Sequence, residues 1–133
     1  MKDLTVARAR DYMTTRVVTV APDMDVLDAM RTLLGERISG APVVDGQGNL
    51  VGVLTQRDCM TVAVQALYHQ QPAGRVAEYM SREVKTLPAS APLPDVIDAF
   101  RGSPFRRFPV TEDGRLVGIL SRRDILSAIL ALW

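Results

Sequence analysis

A helical pattern of apolar side chains begins at Val26. Five residues fall at i, i+3, i+4, i+7 and i+8 and so share one face of a helix, namely Val26, Ala29, Met30, Leu33 and Leu34. Asp23 or Asp25 is suited to cap the start of this helix, because a short side-chain oxygen can accept a hydrogen bond from a free backbone N–H. Gly35 is suited to close it. The pattern predicts an amphipathic helix between these caps.

Shorter apolar runs on both sides of this helix predict strands. Residues 17–20 form a β-branched run that stops at Ala21-Pro22, and residues 41–44 form another. Residues 45–49 have the composition of a turn. Residues 50–54 are continuously apolar, as expected of a strand that is covered on both faces. A second helix is predicted from about residue 56 towards residue 69, so the order is strand, helix, strand, strand, helix.

This plan occurs twice in the chain. Tyr12 and Tyr79 lie 67 positions apart, and the offset falls to 66 after the turn because the second copy has one residue fewer there. Five pairs of segments match in order, namely 11–14 with 78–81, 17–20 with 84–87, 41–43 with 108–110, 50–55 with 116–121, and 57–58 with 123–124. So many ordered matches with one single-residue gap indicate an internal repeat.

The helices of the second copy differ from those of the first. The first helix keeps its spacing through four apolar residues, Leu93, Val96, Ile97 and Phe100. Gly102-Ser103-Pro104 nevertheless predicts an early end to that helix. The last helix, from about residue 122 onward, carries five large apolar residues, namely Ile125, Leu126, Ile129, Leu130 and Trp133. That surface is apolar enough to need a partner, either the first copy or another chain.

We predict an α+β (mixed α/β) fold of two pseudo-symmetric β-α-β-β-α repeats. The first repeat with its N-terminal segment takes residues 1–70, a linker takes 71–75, and the second repeat takes 76–133. One copy has about 60 residues, a size that buries only about 60% of its unfolded surface and is marginal alone. Packed sheet to sheet, the two copies would share one core.

Composition narrows the classes of function. Hydrophobic residues make up 47% of the 133 residues and charged residues 23%, an ordinary globular balance. The formal net charge of +1 gives no reason to expect a nucleic-acid or anionic-membrane partner. Residues 1–4 lead into no signal peptide, and the apolar stretch 125–133 is far shorter than the roughly 20 residues that span a bilayer. With one cysteine, Cys59, a reducing compartment is the simpler assumption. We expect a soluble, cytoplasmic protein without membrane insertion.

Both copies contain a strand that ends in a hydroxyl residue, followed three positions later by an aspartate. The segments are Gly52-Val53-Leu54-Thr55-Gln56-Arg57-Asp58 and Gly118-Ile119-Leu120-Ser121-Arg122-Arg123-Asp124. The glycine lets a ligand or another backbone approach closely. The hydroxyl at a helix start suits a phosphate or ribose oxygen, and the aspartate can accept hydrogen bonds from ribose hydroxyls. The same spacing also fits a capping box, which would only stabilise the helix. The full pattern, present twice, favours the ligand site.

These segments, together with Ala41-Pro42-Val43-Val44 and Phe108-Pro109-Val110, resemble the CBS domain family, whose tandem pair is called a Bateman module. The resemblance covers nearly the whole chain, from about residue 9 to residue 132. It implies a disc-like regulatory module without catalytic activity. It also implies two clefts that bind adenosine compounds such as AMP, ADP, ATP or S-adenosylmethionine, with no required cofactor.

The resemblance further implies which residues line the clefts. Asp58 and Asp124 would hold the ribose, and the hydroxyls of Thr55 and Ser121 would lie near the ribose or a phosphate. The adenine would lie against the first strand and the residues that lead into the Pro-Val strand. The full set of implied nucleotide-binding residues is Thr19, Ile38, Ser39, Gly40, Ala41, Pro42, Thr55, Arg57 and Asp58 in the first copy, and Thr86, Phe105, Arg106, Arg107, Phe108, Pro109, Ser121, Arg123 and Asp124 in the second.

The two clefts are not expected to be equivalent. Family members that bind phosphates often carry a basic residue two positions before the proline, where the second copy has Arg107 and the first has glycine. We expect phosphate contacts from Arg106, Arg107 or Arg123, because guanidinium groups pair well with phosphate oxygens. A solvated face without a ligand is the alternative for these arginines. Phe105, which replaces Ile38, opposes a nucleotide there if its ring fills the adenine pocket.

Catalysis is not expected from the remaining reactive residues. Cys59 and His69 are the only cysteine and histidine, so no His/Cys metal cluster can form. On one helix they would stand roughly 15 Å apart, too far for a catalytic pair. We expect an adenosine-ligand sensor whose occupancy alters the shape of a homodimer and the activity of an unidentified partner protein. A ligand-free dimerisation module is the alternative, and an enzyme is disfavoured because two repeats leave no room for a catalytic domain.

Overall fold

The computed structural model describes residues 4–70 and 72–133. Its helices are α1 (Ala9–Tyr12), α2 (Val26–Gly35), α3 (Gln56–Tyr68), α4 (Leu93–Arg101) and α5 (Arg122–Leu132). Its strands are β1 (Gly40–Val44), β2 (Leu50–Thr55), β3 (Leu87–Pro88), β4 (Arg107–Glu112) and β5 (Arg115–Ser121), and 3-10 turns lie at Leu4–Val6 and Val76–Glu78. None of the helices in these described ranges is long and apolar enough to cross a membrane.

The chain divides into two compact units whose boundaries differ from those of the two sequence repeats. The first-repeat unit is Val18–Val84, and the second-repeat unit joins the residues up to Val17 with Lys85–Trp133. Each unit thus combines one copy of the repeat with the segment that precedes the other copy. The boundaries 1–70 and 76–133 remain a prediction about the repeats. Residues 1–3 and Gln71 of the predicted linker lie outside the described residues.

In the first-repeat unit, an antiparallel hairpin is covered by two helices. β1 and β2 pair from Gly40 opposite Thr55 to Val44 opposite Leu50, with an irregularity at its turn end. The apolar faces of α2 and α3 supply most of the remaining core, because their inward positions recur at helical spacing. The buried core residues include Val26, Ala29, Leu33, Val43, Leu54, Cys59 and Val62.

The second-repeat unit repeats this plan with a three-stranded sheet. β3 runs parallel to β4, with Leu87 opposite Val110. β4 and β5 are antiparallel, from Arg107 opposite Ser121 to Glu112 opposite Arg115. Its core residues include Leu93, Val96, Phe100, Phe108, Val110, Leu120, Ile125 and Ala128.

A crossing segment from outside the repeat packs on the glycine of each hairpin. In the first-repeat unit, Ser81 and Val53 exchange two backbone hydrogen bonds of 2.9 Å. A Cβ atom on Gly52 would lie 2.7 Å from the carbonyl oxygen of Ser81 and 2.8 Å from Sδ of Met80. Real Cβ atoms essentially never come this close to another heavy atom. The motif glycine therefore admits another backbone, one of the two roles that the sequence left open.

The second-repeat unit shows the same arrangement. Thr14 and Ile119 exchange backbone hydrogen bonds of 2.8 and 2.9 Å. A Cβ atom on Gly118 would lie 2.6 Å from Sδ of Met13 and 2.9 Å from the carbonyl oxygen of Thr14. Met13-Thr14 and Met80-Ser81 occupy equivalent repeat positions, so each copy lends a methionine and a hydroxyl residue to the hairpin of the other.

The strand predicted at residues 17–20 is wrong for most of its length. Only Val20 pairs, through a parallel bridge to Val43, and the equivalent strand of the second copy, β3, has two residues. Val17 and Val18 are half-buried and Thr19 is exposed. β-branched residues favour strands mainly where neighbouring side chains cover them, and this run has little such cover.

The structure differs from the sequence prediction in the caps and in the apolar face of α2. Asp25, not Asp23, caps the helix by accepting a hydrogen bond from the backbone N–H of Leu27 at 2.8 Å. Gly35 is the last helical residue, and Arg37 carries the left-handed turn with φ of 56°. Leu34, which the helical spacing predicts on the core face, is 71% exposed because it lies in the last turn. The early end predicted for the second copy is slight, since α4 has 9 residues and α2 has 10.

Candidate functional site

A capping box joins strand to helix at the motif of both copies. In the first, Thr55 ends β2 and its Oγ1 accepts a hydrogen bond from the backbone N–H of Asp58 at 3.1 Å. The backbone N–H of Thr55 donates to Oδ2 of Asp58 at 2.9 Å. Ser121 and Asp124 form the same two bonds, at 3.1 and 2.9 Å. The structural interpretation of the Thr/Ser-x-x-Asp spacing is therefore confirmed in both copies.

The capping box occupies only one of the two carboxylate oxygens of each aspartate. Oδ2 is the bonded oxygen in Asp58 and in Asp124, and within residues 4–70 and 72–133 Oδ1 of neither residue accepts a hydrogen bond. Both side chains are half-buried, so each is held in one orientation and still reaches solvent. An aspartate with this geometry can cap the helix and accept further hydrogen bonds from a ligand.

The residues before the Pro-Val strand lie beside this junction. The backbone N–H of Gln56 donates to the carbonyl oxygen of Ser39 at 2.8 Å, and Gly40 pairs with Thr55. In the second copy, the backbone N–H of Arg122 donates to the carbonyl oxygen of Arg106 at 3.0 Å, and Arg107 pairs with Ser121. The structure thus gathers two sets of predicted site residues, namely Ser39, Gly40, Thr55, Arg57 and Asp58, and Arg106, Arg107, Ser121, Arg123 and Asp124.

Other predicted residues of the first copy serve the core or lie apart from the junction. Ala41 is 1% exposed within the core, and Pro42 is buried in β1. Ile38 packs against the same core. Thr19 is exposed and precedes the bridging residue Val20. Of these four, only Thr19 presents a free side chain to solvent.

Thr86 and Phe108 of the second copy line a cleft of about 390 Å³ between β3 and α4. Its other lining residues are Lys85, Leu87, Asp98, Ala99, Gly102 and Ser103. Sequence reasoning missed Lys85, Asp98 and Ser103, because helical periodicity identifies the apolar face of α4 and carries no signal for the polar residues beside it. Ser121 and Asp124 are not among the lining residues.

Phe105 does not line this cleft. It is 45% exposed, and its ring meets that of Phe108 edge to face with centroids 5.8 Å apart. Phe108 in turn packs edge to face on Phe100 at 4.8 Å. Pro109 is half-buried in β4 opposite Ile119. The concern that Phe105 fills the pocket does not apply to the cleft beside Thr86.

The arginines at the two junctions are exposed. These are Arg57 in the first-repeat unit and Arg106, Arg107, Arg122 and Arg123 in the second. Among the described residues, the side chain of none of these five makes an ion pair or a hydrogen bond. Their guanidinium groups are therefore available to an anion.

Cys59 lies in the hydrophobic core, and His69 lies at the end of a helix. Cys59 is 7% exposed in the first-repeat core, and burial, with a smaller effect from the charge of Asp58, raises the pKa of its thiol. A raised pKa disfavours the reactive thiolate. His69 ends α3, with its backbone N–H donating to the carbonyl oxygen of Gln65 at 3.1 Å. The prediction of a small buried cysteine and a helix-end histidine is confirmed.

Comparison with known proteins assigns the class to which this fold and these junctions belong. The CBS domain model matches the chain twice, over residues 9–64 and 76–131. The chain therefore belongs to the CBS domain family and carries a tandem pair.

Individual relatives support the same assignment. The chain is 28% identical over 93% of its length to the uncharacterized protein MJ1225 of Methanocaldococcus jannaschii and spans 43% of that protein. Among solved structures, it resembles CBSX2 of Arabidopsis thaliana in complex with AMP, with 31% identity, a TM-score of 0.80, and coverage of 93% of this chain and 96% of that one. It also resembles the CBS domain pair of protein MJ0100 in complex with 5'-methylthioadenosine and S-adenosyl-L-methionine, with 25% identity, a TM-score of 0.69, and coverage of 94% and 97%.

Proposed function

We propose that this chain is a regulatory module without catalytic activity that binds an adenosine-type ligand, namely AMP, ADP, ATP or S-adenosylmethionine. The observation that carries the proposal is the repeated strand–helix junction, where Asp58 and Asp124 each keep one carboxylate oxygen free while the other is fixed by the backbone. A carboxylate held in this way suits the two hydroxyls of a ribose. The AMP complex of CBSX2 and the S-adenosylmethionine complex of MJ0100 support this choice of ligand class.

Ligand occupancy would act through a dimer. Seven large apolar residues stand exposed on or directly after the last helices of the two copies, four at α3 and three at α5. The α3 stripe is Met60, Val64, Leu67 and Tyr68, and the α5 stripe is Leu126, Leu130 and Trp133. Each stripe follows one face at i, i+4 and i+7, and exposed apolar faces of this kind mark association surfaces. A second copy of the chain is the proposed occupant, because three positions of the two stripes are equivalent in the repeat and so offer matched surfaces.

A ligand that alters the shape of this dimer would change the activity of a partner protein, whose identity is open. The second candidate function is a ligand-free dimerisation module. It is favoured by the capping boxes, since helix capping alone accounts for Thr55, Asp58, Ser121 and Asp124. In that case the apolar stripes would be the functional surface.

A thermal-shift assay on nucleotide-stripped protein distinguishes the two functions. AMP, ADP, ATP, S-adenosylmethionine, NADH and GTP are tested separately, each against the melting temperature of the free protein. A compound that binds the folded state at a hundredfold excess over its dissociation constant stabilises it by about 2.7 kcal/mol. We expect a shift with at least one adenosine compound, whereas no shift with any of them would favour the ligand-free module.

Variants then assign the response to a junction. Asp58→Asn and Asp124→Asn each keep an oxygen for the capping bond and remove the carboxylate charge. Asp25→Asn is the control, because Asp25 caps α2 outside both junctions. We expect one or both junction variants to lose the ligand-induced shift relative to their own free melting temperature, and the control to keep it. Equal shifts in all three would contradict the proposed role of the aspartates.

A further inference from the structure

Four arginines surround the strand–helix junction of the second-repeat unit. Arg106 and Arg107 lead into β4, and Arg122 and Arg123 open α5. The backbone bond from Arg122 to Arg106 and the pairing of Arg107 with Ser121 hold all four at one end of one hairpin. The equivalent positions of the first-repeat unit are Ser39, Gly40, Gln56 and Arg57.

Among the described residues, none of these four arginine side chains forms an ion pair. Within segments 106–107 and 121–124 the carboxylate is Asp124, and its Oδ2 is already bonded to the backbone of Ser121. Glu112 and Asp113 lie at the opposite end of the hairpin. Four guanidinium groups and one carboxylate leave an excess of three positive charges. At the first-repeat junction, Arg57 and Asp58 balance each other.

Exposed guanidinium groups grouped in this way repel one another and gain from a multiply charged anion. Their fork geometry matches phosphate oxygens, with which they form charge-assisted and often bidentate hydrogen bonds. A single phosphate can occupy only part of a four-arginine cluster. A chain of two or three phosphates can engage more of the groups and neutralise more of the excess charge.

We infer that the second-repeat junction selects its ligand by the number of phosphates, binding a nucleoside diphosphate or triphosphate in preference to AMP and excluding S-adenosylmethionine. The inference rests on the proposed function, which supplies the adenosine part of the ligand. The sulfonium and ammonium groups of S-adenosylmethionine are repelled by this cluster, and its single carboxylate carries less negative charge than a chain of two or three phosphates. The first-repeat junction, with no excess charge, lacks this preference.

Isothermal titration of the stripped, full-length chain tests the selection. The ligands are AMP, ADP, ATP, S-adenosylmethionine and inorganic tripolyphosphate. One added charge-assisted hydrogen bond is worth about a tenfold gain in affinity, so we expect the affinity to rise about tenfold from AMP to ADP and again to ATP. Tripolyphosphate should compete with ATP, and ATP binding should weaken as salt rises because the exposed charges are screened.

Arg106→Gln/Arg107→Gln locates the effect. We expect this double variant to lose about a hundredfold in ATP affinity and to reduce the difference between ATP and AMP. Arg115→Gln is the matched control, because Arg115 is an exposed arginine at the far end of β5. All three substituted arginines are exposed, so equal melting temperatures should confirm that folding is intact in each variant.

The outcomes separate this inference from the function on which it rests. AMP and ATP binding within twofold of each other would overturn the selection and leave adenosine binding in place. Unchanged ATP affinity in Arg106→Gln/Arg107→Gln would also overturn it. Binding of tripolyphosphate without any adenosine compound would support the anionic site and overturn the adenosine ligand.

Discussion

The two repeat units share their packing contacts and differ in their charges. Gly52 and Gly118 receive equivalent crossing segments, and the capping boxes at Thr55 and Ser121 agree in both hydrogen-bond lengths. The junction charges do not agree, since one unit has a balanced pair and the other an excess of three arginines. Residues that the fold requires are therefore duplicated, while the residues that would contact a ligand's phosphates are not.

This contrast indicates how a repeat can diverge without losing its fold. Closely packed interiors tolerate few changes of volume, so the glycine and the methionine above it are kept in both copies. Exposed arginines contribute little to stability, and their number can change freely. The charge at each junction is then set by residues that the fold leaves unconstrained.

The largest expected effect concerns the motif glycines. Gly52→Ala should lower the free energy of unfolding by about 2–3 kcal/mol, because the new Cβ collides with the carbonyl oxygen of Ser81 and with buried Met80. Gly118→Ala should cost less, because its contact with a carbonyl oxygen, that of Thr14, is longer at 2.9 Å and its nearest neighbour is the flexible side chain of half-buried Met13. Urea unfolding of each variant measures both values.

Gly46→Ala serves as the control for this pair. Gly46 lies in the turn of the first hairpin, where an added Cβ meets no atom within 4 Å. Its unfolding free energy should stay within about 0.5 kcal/mol of the parent protein. A loss at Gly118 equal to or larger than that at Gly52 would contradict the distinction between a buried and a movable methionine.

A smaller effect is expected for the apolar stripes. Leu130→Glu should raise the dimer dissociation constant about tenfold or more, which is about 1.4 kcal/mol, because it places a charge on the proposed interface. Val64→Glu should have a weaker effect, since Val64 is 45% exposed and Leu130 is 78% exposed. Sedimentation velocity over a range of concentrations measures the association.

Leu34→Glu is the control for the stripe variants. Leu34 is 71% exposed but belongs to α2, outside both stripes. It should leave the association unchanged. A parent protein that sediments as a monomer at tens of micromolar would contradict the dimer itself.

The smallest expected loss of stability comes from removing the N-cap hydroxyls of α3 and α5, and it should be equal in the two units. Thr55→Ala and Ser121→Ala each remove the oxygen that accepts a helix N–H, which costs about 1 kcal/mol. Ser127→Ala, at an exposed position inside α5, is the control and should be neutral or slightly stabilising, because alanine favours helices. Thermal unfolding measures all three. Losses that differ more than twofold would show that the junctions are less alike than their hydrogen bonds indicate.

Much of the fold could be predicted from the sequence, because its signals are local. The spacing of Val26, Ala29 and Leu33 predicts a helix face that is buried as expected. The repeat predicts that Asp58 and Asp124 occupy equivalent places, and both do so. The prediction of a strand at residues 17–20 was wrong because a short β-branched run becomes a strand only where its side chains are covered.

The sequence by itself determined the two long helices and the hairpin of each copy and the repeat, and it offered the capping box as one of two interpretations, since each depends on residues a few positions apart or on a match between two segments. Only the tertiary structure decided that each copy lends Met-Thr or Met-Ser to the hairpin of the other, and that the motif glycine serves this contact. It also decided that the four arginines of the second unit meet at one end of a hairpin without carboxylate partners. These features depend on contacts between residues far apart in the chain, and a periodic pattern carries no information about which distant segment covers a given surface.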